Sequence, residues 1–303
     1  MEQTANSLLK EFFPSETANT TGQLELIRRT HQQYNEPDDL PFTQQEVDLA
    51  IKREDDNKSP GEDGLSAAII FHCSKIYPKL YLNLFNRCLE AGLFPERWKK
   101  SIVKLIPKSS TNDHSVKSFR PMSLLDVTGK ILEKLVYDRL TYSIFSPPCL
   151  MSPRQFGFTQ QKSAEDAINE IVKLQTRIIE QKKLAYFVSL DIQGAFDSAW
   201  WPLILNSLRE HRVPENLYRL VEDYFSNRKA TLPLCRQNFG RRLERGCPQG
   251  AKCSPLFWNL LYNSLLELPM PDQTYIQAFA DDAFLVCEGT QIRECAARTN
   301  AAL

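Results

Sequence analysis

The chain has 303 residues, of which 42% are apolar and 24% charged, and its 37 basic residues balance 37 acidic ones. That composition excludes a disordered tail and a uniformly basic nucleic-acid coat, and no apolar run approaches membrane-spanning length. The opening MEQTANSLLKEFFPSE has neither the basic start nor the apolar stretch of a secretory signal, so an intracellular location is expected. Eight cysteines and four histidines are scattered with no CxxC pair. This excludes zinc-site spacing and reads as reduced, buried thiols.

Overall neutrality hides local bias. Residues 1–60 carry 6 basic against 12 acidic side chains, whereas 95–120 carry 7 against 2 and 228–252 carry 7 against 1. The two basic stretches are what a groove for a phosphate backbone needs.

In chain order, residues 1–42 are polar and acidic and read as a linker or N-terminal arm. Thr43 with Glu46 forms a capping box ahead of a helical stripe of Val47, Ala50 and Ile51. NKSPGEDGLS then breaks the chain at Pro60, Gly61 and Gly64. One helical stretch is predicted from about Ala67 to Glu90, stopped at Gly92, followed by a strand over SIVKLIPK (101–108). Asp126 is placed to cap a helix bearing Ile131, Leu132, Leu135, Val136 and Leu140. Ser163 and Asp166 open another, bearing Ile168, Ile171, Val172, Ile178 and Ile179, and both stripes are expected in the core.

LAYFVSLD (184–191) is an almost continuous apolar run, as for a strand buried on both faces. Helices over AWWPLILNSLREH and ENLYRLVEDYFSNR, a hairpin over 230–245, a helix over 254–267 and a strand pair around Asp281-Asp282 complete the chain. Strands and helices mix without a regular βαβ rhythm, which predicts an α+β fold.

The chemistry concentrates in acidic residues and one loop. VSLD delivers Asp191 to the lip of a sheet, and FADD sets Asp281 and Asp282 between two strand-forming runs. Adjacent like charges repel, and a hairpin turn ordinarily prefers a glycine there, so a bound cation is the alternative to simple exposure at a loop tip. If the hairpin pairs beside the first strand, Asp191 and Asp281 converge. Three acidic oxygen donors without histidine or cysteine select a hard cation such as Mg²⁺ or Mn²⁺, and a pair of such ions can activate a hydroxyl and steady a leaving phosphate. Asp197 reads as a helix cap with no metal role. In RGCPQGAKCSPLFWN (245–259), Pro248 and Gly250 shape a tight turn around Gln249 before a helix start at Ser254 and Pro255.

LDIQGAF, GCPQGAKCSP and FADD, in this order and spacing, resemble the palm motifs of reverse transcriptases. Together with NKSPGEDGL, SIVKLIPK, SFRPMSLLDVTGKILEKLV and RQFGFTQQKSAEDAI, the FADD form is similar to LINE-type non-LTR (type-1) retrotransposon Pol polyproteins. GCPQG followed by SPLFWNLL looks most like arthropod elements that insert into ribosomal genes or telomeric repeats. The resemblance covers about residues 43–303.

The resemblance implies a right-hand polymerase: a linker or arm over 1–42, fingers and pre-palm over 43–183, and a palm with an antiparallel sheet over 184–303. The reverse transcriptase domain proper would span about 88–303. It implies catalytic metal-binding roles for Asp191, Asp281 and Asp282 with two Mg²⁺ (or Mn²⁺) ions. It implies a nucleotide site of Lys108, Arg120, Phe196, Gln249 and Gly250, with Phe196 as a steric gate against ribose and Lys104 as the alternative to Lys108. The expected activity is RNA-directed DNA synthesis, with an RNA template, a DNA primer or target DNA and deoxynucleotide triphosphates as partners and no membrane. Synthesis in the cytoplasm and action in the nucleus are implied by the family alone.

No endonuclease signature precedes the match and no zinc knuckle follows it, and the chain stops 21 residues after Asp282. The expectation is therefore a fragment of a larger polyprotein with the thumb missing, weakly active or inactive by itself. A non-catalytic nucleic-acid-binding remnant and a domesticated structural protein of the same fold are the competing readings.

Overall fold

The computed structural model describes residues 2–16, 20–108, 116–146, 151–192 and 194–303. Cys149 and residues 109–115 of the first basic stretch lie outside the described residues. The chain forms two compact units, one of Met1–Cys149 with Phe196–Ser254 and the other of Leu150–Ala195 with Pro255–Leu303.

Within residues 1–42, α1 (Glu2–Phe12) and α2 (Thr21–Thr30) form, the second opened by a Thr20–Gln23 capping box. Leu9, Phe12 and Phe13 recur at helical spacing and are buried with Val103, Ala230, Leu232 and Leu243. Each such burial contributes on the order of 1.5–3 kcal/mol, enough to seat a segment whose average composition is polar.

The Thr43–Glu46 box starts α3 (Gln44–Lys52), as the sequence predicts. The predicted single helix from 67 to 90 is two, α4 (Ala67–Ile76) and α5 (Pro78–Ala91). Pro78 has no N–H to donate and moves Tyr77 out of the helical region, to φ −128 and ψ 64. Gly92 closes α5 with φ 63.

Strands β1 (Lys100–Pro107) and β2 (Phe119–Leu124) precede α6 (Val127–Phe145). Asp126 stands at the N-cap of α6 but makes no cap bond; its Oδ1 accepts from the Asp63 N–H at 3.2 Å. The Ser163–Asp166 capping box opens α7 (Ala164–Glu180), followed by β3 (Leu184–Leu190), α8 (Trp201–Glu210) and α9 (Glu215–Phe225). The hairpin β4 (Lys229–Leu234) and β5 (Gln237–Arg242) turns through Cys235 and Arg236, at φ 48 and 66, the signs of a type I′ turn. Then come α10 (Ser254–Leu266), β6 (Thr274–Phe279), β7 (Asp282–Gly289) and α11 (Ile292–Ala302).

The first unit holds a four-stranded sheet in the order β2-β1-β4-β5, antiparallel except where β1 runs parallel to β4. In the second unit β3-β7-β6 is antiparallel throughout. Mixed helices and antiparallel-containing sheets make the fold α+β.

Three expectations about burial are corrected. β3 is not buried on both faces: among the described residues it pairs with β7 alone, and Leu184 and Phe187 are 46% and 40% exposed. On α7 only Ala167 and Ile178 are buried, while Ile168, Val172 and Ile179 are 62%, 49% and 64% exposed. The cysteines are not all buried, since Cys235 lies exposed on its turn. The basic stretches also lose members to the interior. Lys99 is buried on Glu96 and Asp223, and Arg228 is buried beside the Tyr224 ring. Among the described residues no helix is long and apolar enough to cross a membrane.

Candidate active site

In the second unit the register of β3 on β7 ends with Leu190 opposite Ala283. One step further along both strands come Asp191 and Asp282, so these two leave the same end of the sheet, with Asp281 in the adjoining loop. Asp191 and Asp282 are exposed and Asp281 is half-buried. Among the described residues no three of His, Cys, Asp and Glu cluster as a metal-binding group. The backbone thus delivers the three carboxylates to one sheet end without closing their side chains on a common point.

The loop between β6 and β7 is two residues, Ala280 and Asp281, because Phe279 pairs with Asp282. Ala280 has φ 59 and Asp281 has no positive φ, the sign pattern of a type II′ turn that would ordinarily want glycine first. A non-glycine residue there costs about 1 kcal/mol or more and persists only when its surroundings fix it. They do: the Gln155 Oε1 accepts from the Ala280 N–H at 3.1 Å, and the Gln155 Nε2 and Trp258 Nε1 donate to the Ala280 carbonyl at 3.2 and 3.0 Å. Gly157 packs so closely that a Cβ on it would lie 2.1 Å from the Ala280 nitrogen. Its carbonyl accepts from the Asn259 Nδ2 at 3.0 Å. Burial, with Asp281 and Asp282 adding to it, pushes the Tyr262 hydroxyl up to about 12, so the aspartate pair sets a negative field on this part of α10.

The sequence reading missed Gln155, Gly157, Trp258 and Asn259. They lie inside the quoted blocks RQFGFTQQKSAEDAI and SPLFWNLL. Their partners stand 102 to 125 residues away in the case of Asn259 and Gln155, a pairing that no local pattern reveals.

The first unit carries the other candidate residues. Ile106 pairs with Arg120 and Lys104 with Met122, and just beyond them the Lys108 N–H donates to the Ser118 carbonyl at 2.7 Å. Directly paired residues share a face and alternate residues repeat it, so Lys104, Lys108 and Arg120 stand together on one face of the β1-β2 ribbon, all exposed. The opposite face buries Val103 and Ser123.

The 246–250 loop is tied to this ribbon and to the turn Phe196–Ser198. The Ser123 N–H donates to the Gln249 carbonyl at 2.9 Å, the Cys247 N–H to the Phe196 carbonyl at 2.7 Å and the Gly246 N–H to the Ala199 carbonyl at 2.7 Å. Gly250 has φ 116, and a Cβ there would sit 3.0 Å from the Ser123 oxygen. Beyond the loop, Glu133 accepts from the Lys252 N–H at 2.7 Å; burial pushes its carboxyl up, against the pull of Arg228.

Asp197 is not a cap. The N-cap of α8 is Trp200, and the Asp197 Oδ2 instead accepts from the Gln249 Nε2 at 2.9 Å. Burial pushes its carboxyl up to about 7, the Gln249 amide holding it lower than burial alone. Unfolded, this carboxyl titrates near its ordinary 3.8. The raised folded value therefore gives stability that is complete below that pH and is lost as pH rises towards 7. Asp197→Asn cannot ionise, so a thermal melt series is expected to show it losing less stability than wild type between pH 5 and pH 8, by about 1–3 kcal/mol. Parallel curves for the two proteins would contradict this.

The family described as reverse transcriptase (RNA-dependent DNA polymerase) matches residues 106–301. The chain is 33% identical over 290 residues to a retrovirus-related Pol polyprotein from type-1 retrotransposable element R1 of Bradysia coprophila, covering 94% of this chain and 27% of that one. It is 31% identical over 253 residues to the RNA-directed DNA polymerase from mobile element jockey of Drosophila funebris, covering 81% and 26%. With the Pol polyprotein from type-1 retrotransposable element R2 of Nasonia vitripennis the identity is 28% over 222 residues, covering 68% and 20%. The chain spans about a quarter of the length of the curated relatives it matches.

Proposed function

The chain belongs to the reverse transcriptase family, and from that premise we propose that it adds deoxynucleotides to a primer 3′-hydroxyl on an RNA template, as part of a non-LTR retrotransposon polyprotein. The observation that carries this reading is the common sheet end of Asp191 and Asp282, with Asp281 beside them in a turn that Gln155, Gly157 and Trp258 hold. In this reading the three-stranded sheet serves as the palm and the β1-β2 ribbon belongs to the fingers. The partners are an RNA template, a primer or target DNA and deoxynucleotide triphosphates, and the site of action is the nucleus. The 303 residues by themselves extend primers weakly or not at all.

The donor set fits a hard divalent cation in kind: three carboxylates, two of them open to solvent, and a negative field felt by Tyr262. Asp191, Asp281 and Asp282 would hold two Mg²⁺ or Mn²⁺ ions. These ions would supply charge neutralisation at the attacking and leaving oxygens. The protein's own groups do the rest. Lys108, with Lys104 on the same face, and Arg120 neutralise and orient the triphosphate, arginine through its paired N–H groups and lysine as a point charge. Gln249 and Gly250 lie against the nucleotide, where the bare Gly250 backbone admits close approach.

Phe196 would exclude a ribonucleotide by placing its ring under the 2′ position. Its backbone is fixed by the Cys247 N–H bond, which keeps the ring from retreating with the loop. Phe196→Ala is expected to raise incorporation of ribonucleotides relative to deoxynucleotides by about 10- to 100-fold in RNA-templated primer extension, the usual worth of a steric pocket contact. An unchanged ratio removes the gate from Phe196.

A further inference from the structure

The carboxylate of Asp197 is half-buried, has no lysine or arginine partner among the described residues, and holds one amide. A carboxylate in that setting costs stability unless what it holds repays it. We propose that Asp197 is a positioning residue, fixing the Gln249 carboxamide so that its Oε1 end is presented to the sugar hydroxyl of the incoming deoxynucleotide. This rests on Gln249 facing the nucleotide.

A carboxamide has a donor end and an acceptor end, and it reads a hydroxyl or a carbonyl according to which end is free. Oxygen Oδ2 of Asp197 only accepts when ionised, so it binds the Nε2 end, at 2.9 Å, and leaves Oε1 as the free acceptor. A ligand group that donates is then recognised, which the 3′-hydroxyl of a deoxynucleotide does and the hydrogen of a dideoxynucleotide does not.

The pair is not an accident of a loose loop. A Cβ on Gly246, whose φ is 94, would lie 2.7 Å from the Asp197 carbonyl oxygen, so the loop backbone runs directly over Asp197. The Gln249 carbonyl is held from the other side by the Ser123 N–H. Backbone and amide of Gln249 are thereby pinned independently, the first by β2 and the second by Asp197.

The test is competition binding of dNTP and ddNTP to the full 303-residue chain with Mg²⁺, read by a fluorescent dNTP, for wild type, Asp197→Leu, Asp197→Asn, Gln249→Ala and the Asp197→Leu/Gln249→Ala pair. Asp197→Leu is expected to weaken dNTP binding about tenfold and to erase the preference for dNTP over ddNTP. Asp197→Asn, which keeps an acceptor oxygen, stays within about twofold of wild type, and Asp197→Leu adds less than about twofold in the Gln249→Ala background. Additive losses in the pair, or an unchanged dNTP/ddNTP ratio in Asp197→Leu, overturn the positioning role while leaving Gln249 in the site. Undiminished dNTP binding by Gln249→Ala, or no dNTP binding by wild type, instead overturns the nucleotide reading of Gln249 and the inference with it. Should Asp197→Leu lack a thermal transition, Gln249→Glu asks the same question by opposing two carboxylates; binding at wild-type strength there overturns the inference.

Discussion

Replacing Asp281 and Asp282 together by alanine is expected to abolish primer extension, by at least about a thousandfold, without lowering the melting temperature in metal-free buffer. Phe279 and Asp282 close the hairpin through the backbone, and the turn is fixed at Ala280 by Gln155 and Trp258, so neither aspartate side chain is needed for the turn to form. Without a cation the two carboxylates repel, and their removal relieves that repulsion. A residue pair that costs stability where it stands is one retained for what it binds. Divalent cation should reverse the ranking. At a Mg²⁺ concentration ten times the dissociation constant, binding to the native state adds about 1.4 kcal/mol to wild type and nothing to the double mutant. Thermal melts with and without Mg²⁺ separate the two. Equal Mg²⁺ stabilisation of both proteins would mean that the aspartate pair is not the cation site.

The second large effect is expected from Gly157, which no motif singled out. Gly157→Val would force a side chain into the backbone of Ala280, because even a Cβ would stand 2.1 Å from its nitrogen and 2.7 Å from its Cα. Backbone cannot give way as a flexible side-chain tip can. Either the 155–159 segment lifts off, breaking the Gln155 bonds to Ala280, or the aspartate turn moves. The cost is roughly 3 kcal/mol or more from overpacking and the lost hydrogen bonds. A displacement of about 1 Å at Asp281 and Asp282 would reduce activity by about a hundredfold on its own. Gly240→Val in β5 is the control, since nothing stands within 4 Å of a Cβ there. Urea melts that found the two variants equally stable would remove the steric argument.

How much of this was legible in the sequence follows from the range over which each signal acts. Local signals read well: the capping boxes of Thr43 and Ser163 and the Gly92 stop depend on neighbours within a few residues. Segment type was also legible for β3 and α7, from an apolar run and a helical stripe. Their burial was not. Periodicity says which face is apolar, not what covers it, and Ile168 and Val172 instead line an open apolar groove with Phe279 and Phe284 that reaches Asp282. Asp197 was misread because a short acidic residue before a helix ordinarily caps it, whereas its partner Gln249 stands 52 residues on. The candidate aspartates stand out in sequence as two adjacent like charges between strand-forming runs, although the turn position that prefers glycine belongs to Ala280 and Asp282 already opens β7. The residues that hold that turn, Gln155, Gly157 and Trp258, look ordinary in sequence and acquire their role only through tertiary contact.

Primer extension on an RNA template, with deoxynucleotides and Mg²⁺ or Mn²⁺, tests the central claim most directly when wild type and the Asp281→Ala/Asp282→Ala variant are run side by side with a radiolabelled primer. The expected result is a metal-dependent product from wild type, short and weak for the chain alone, that EDTA removes and that the double mutant does not form. Equal product from the two proteins contradicts the assignment of polymerase chemistry to these carboxylates.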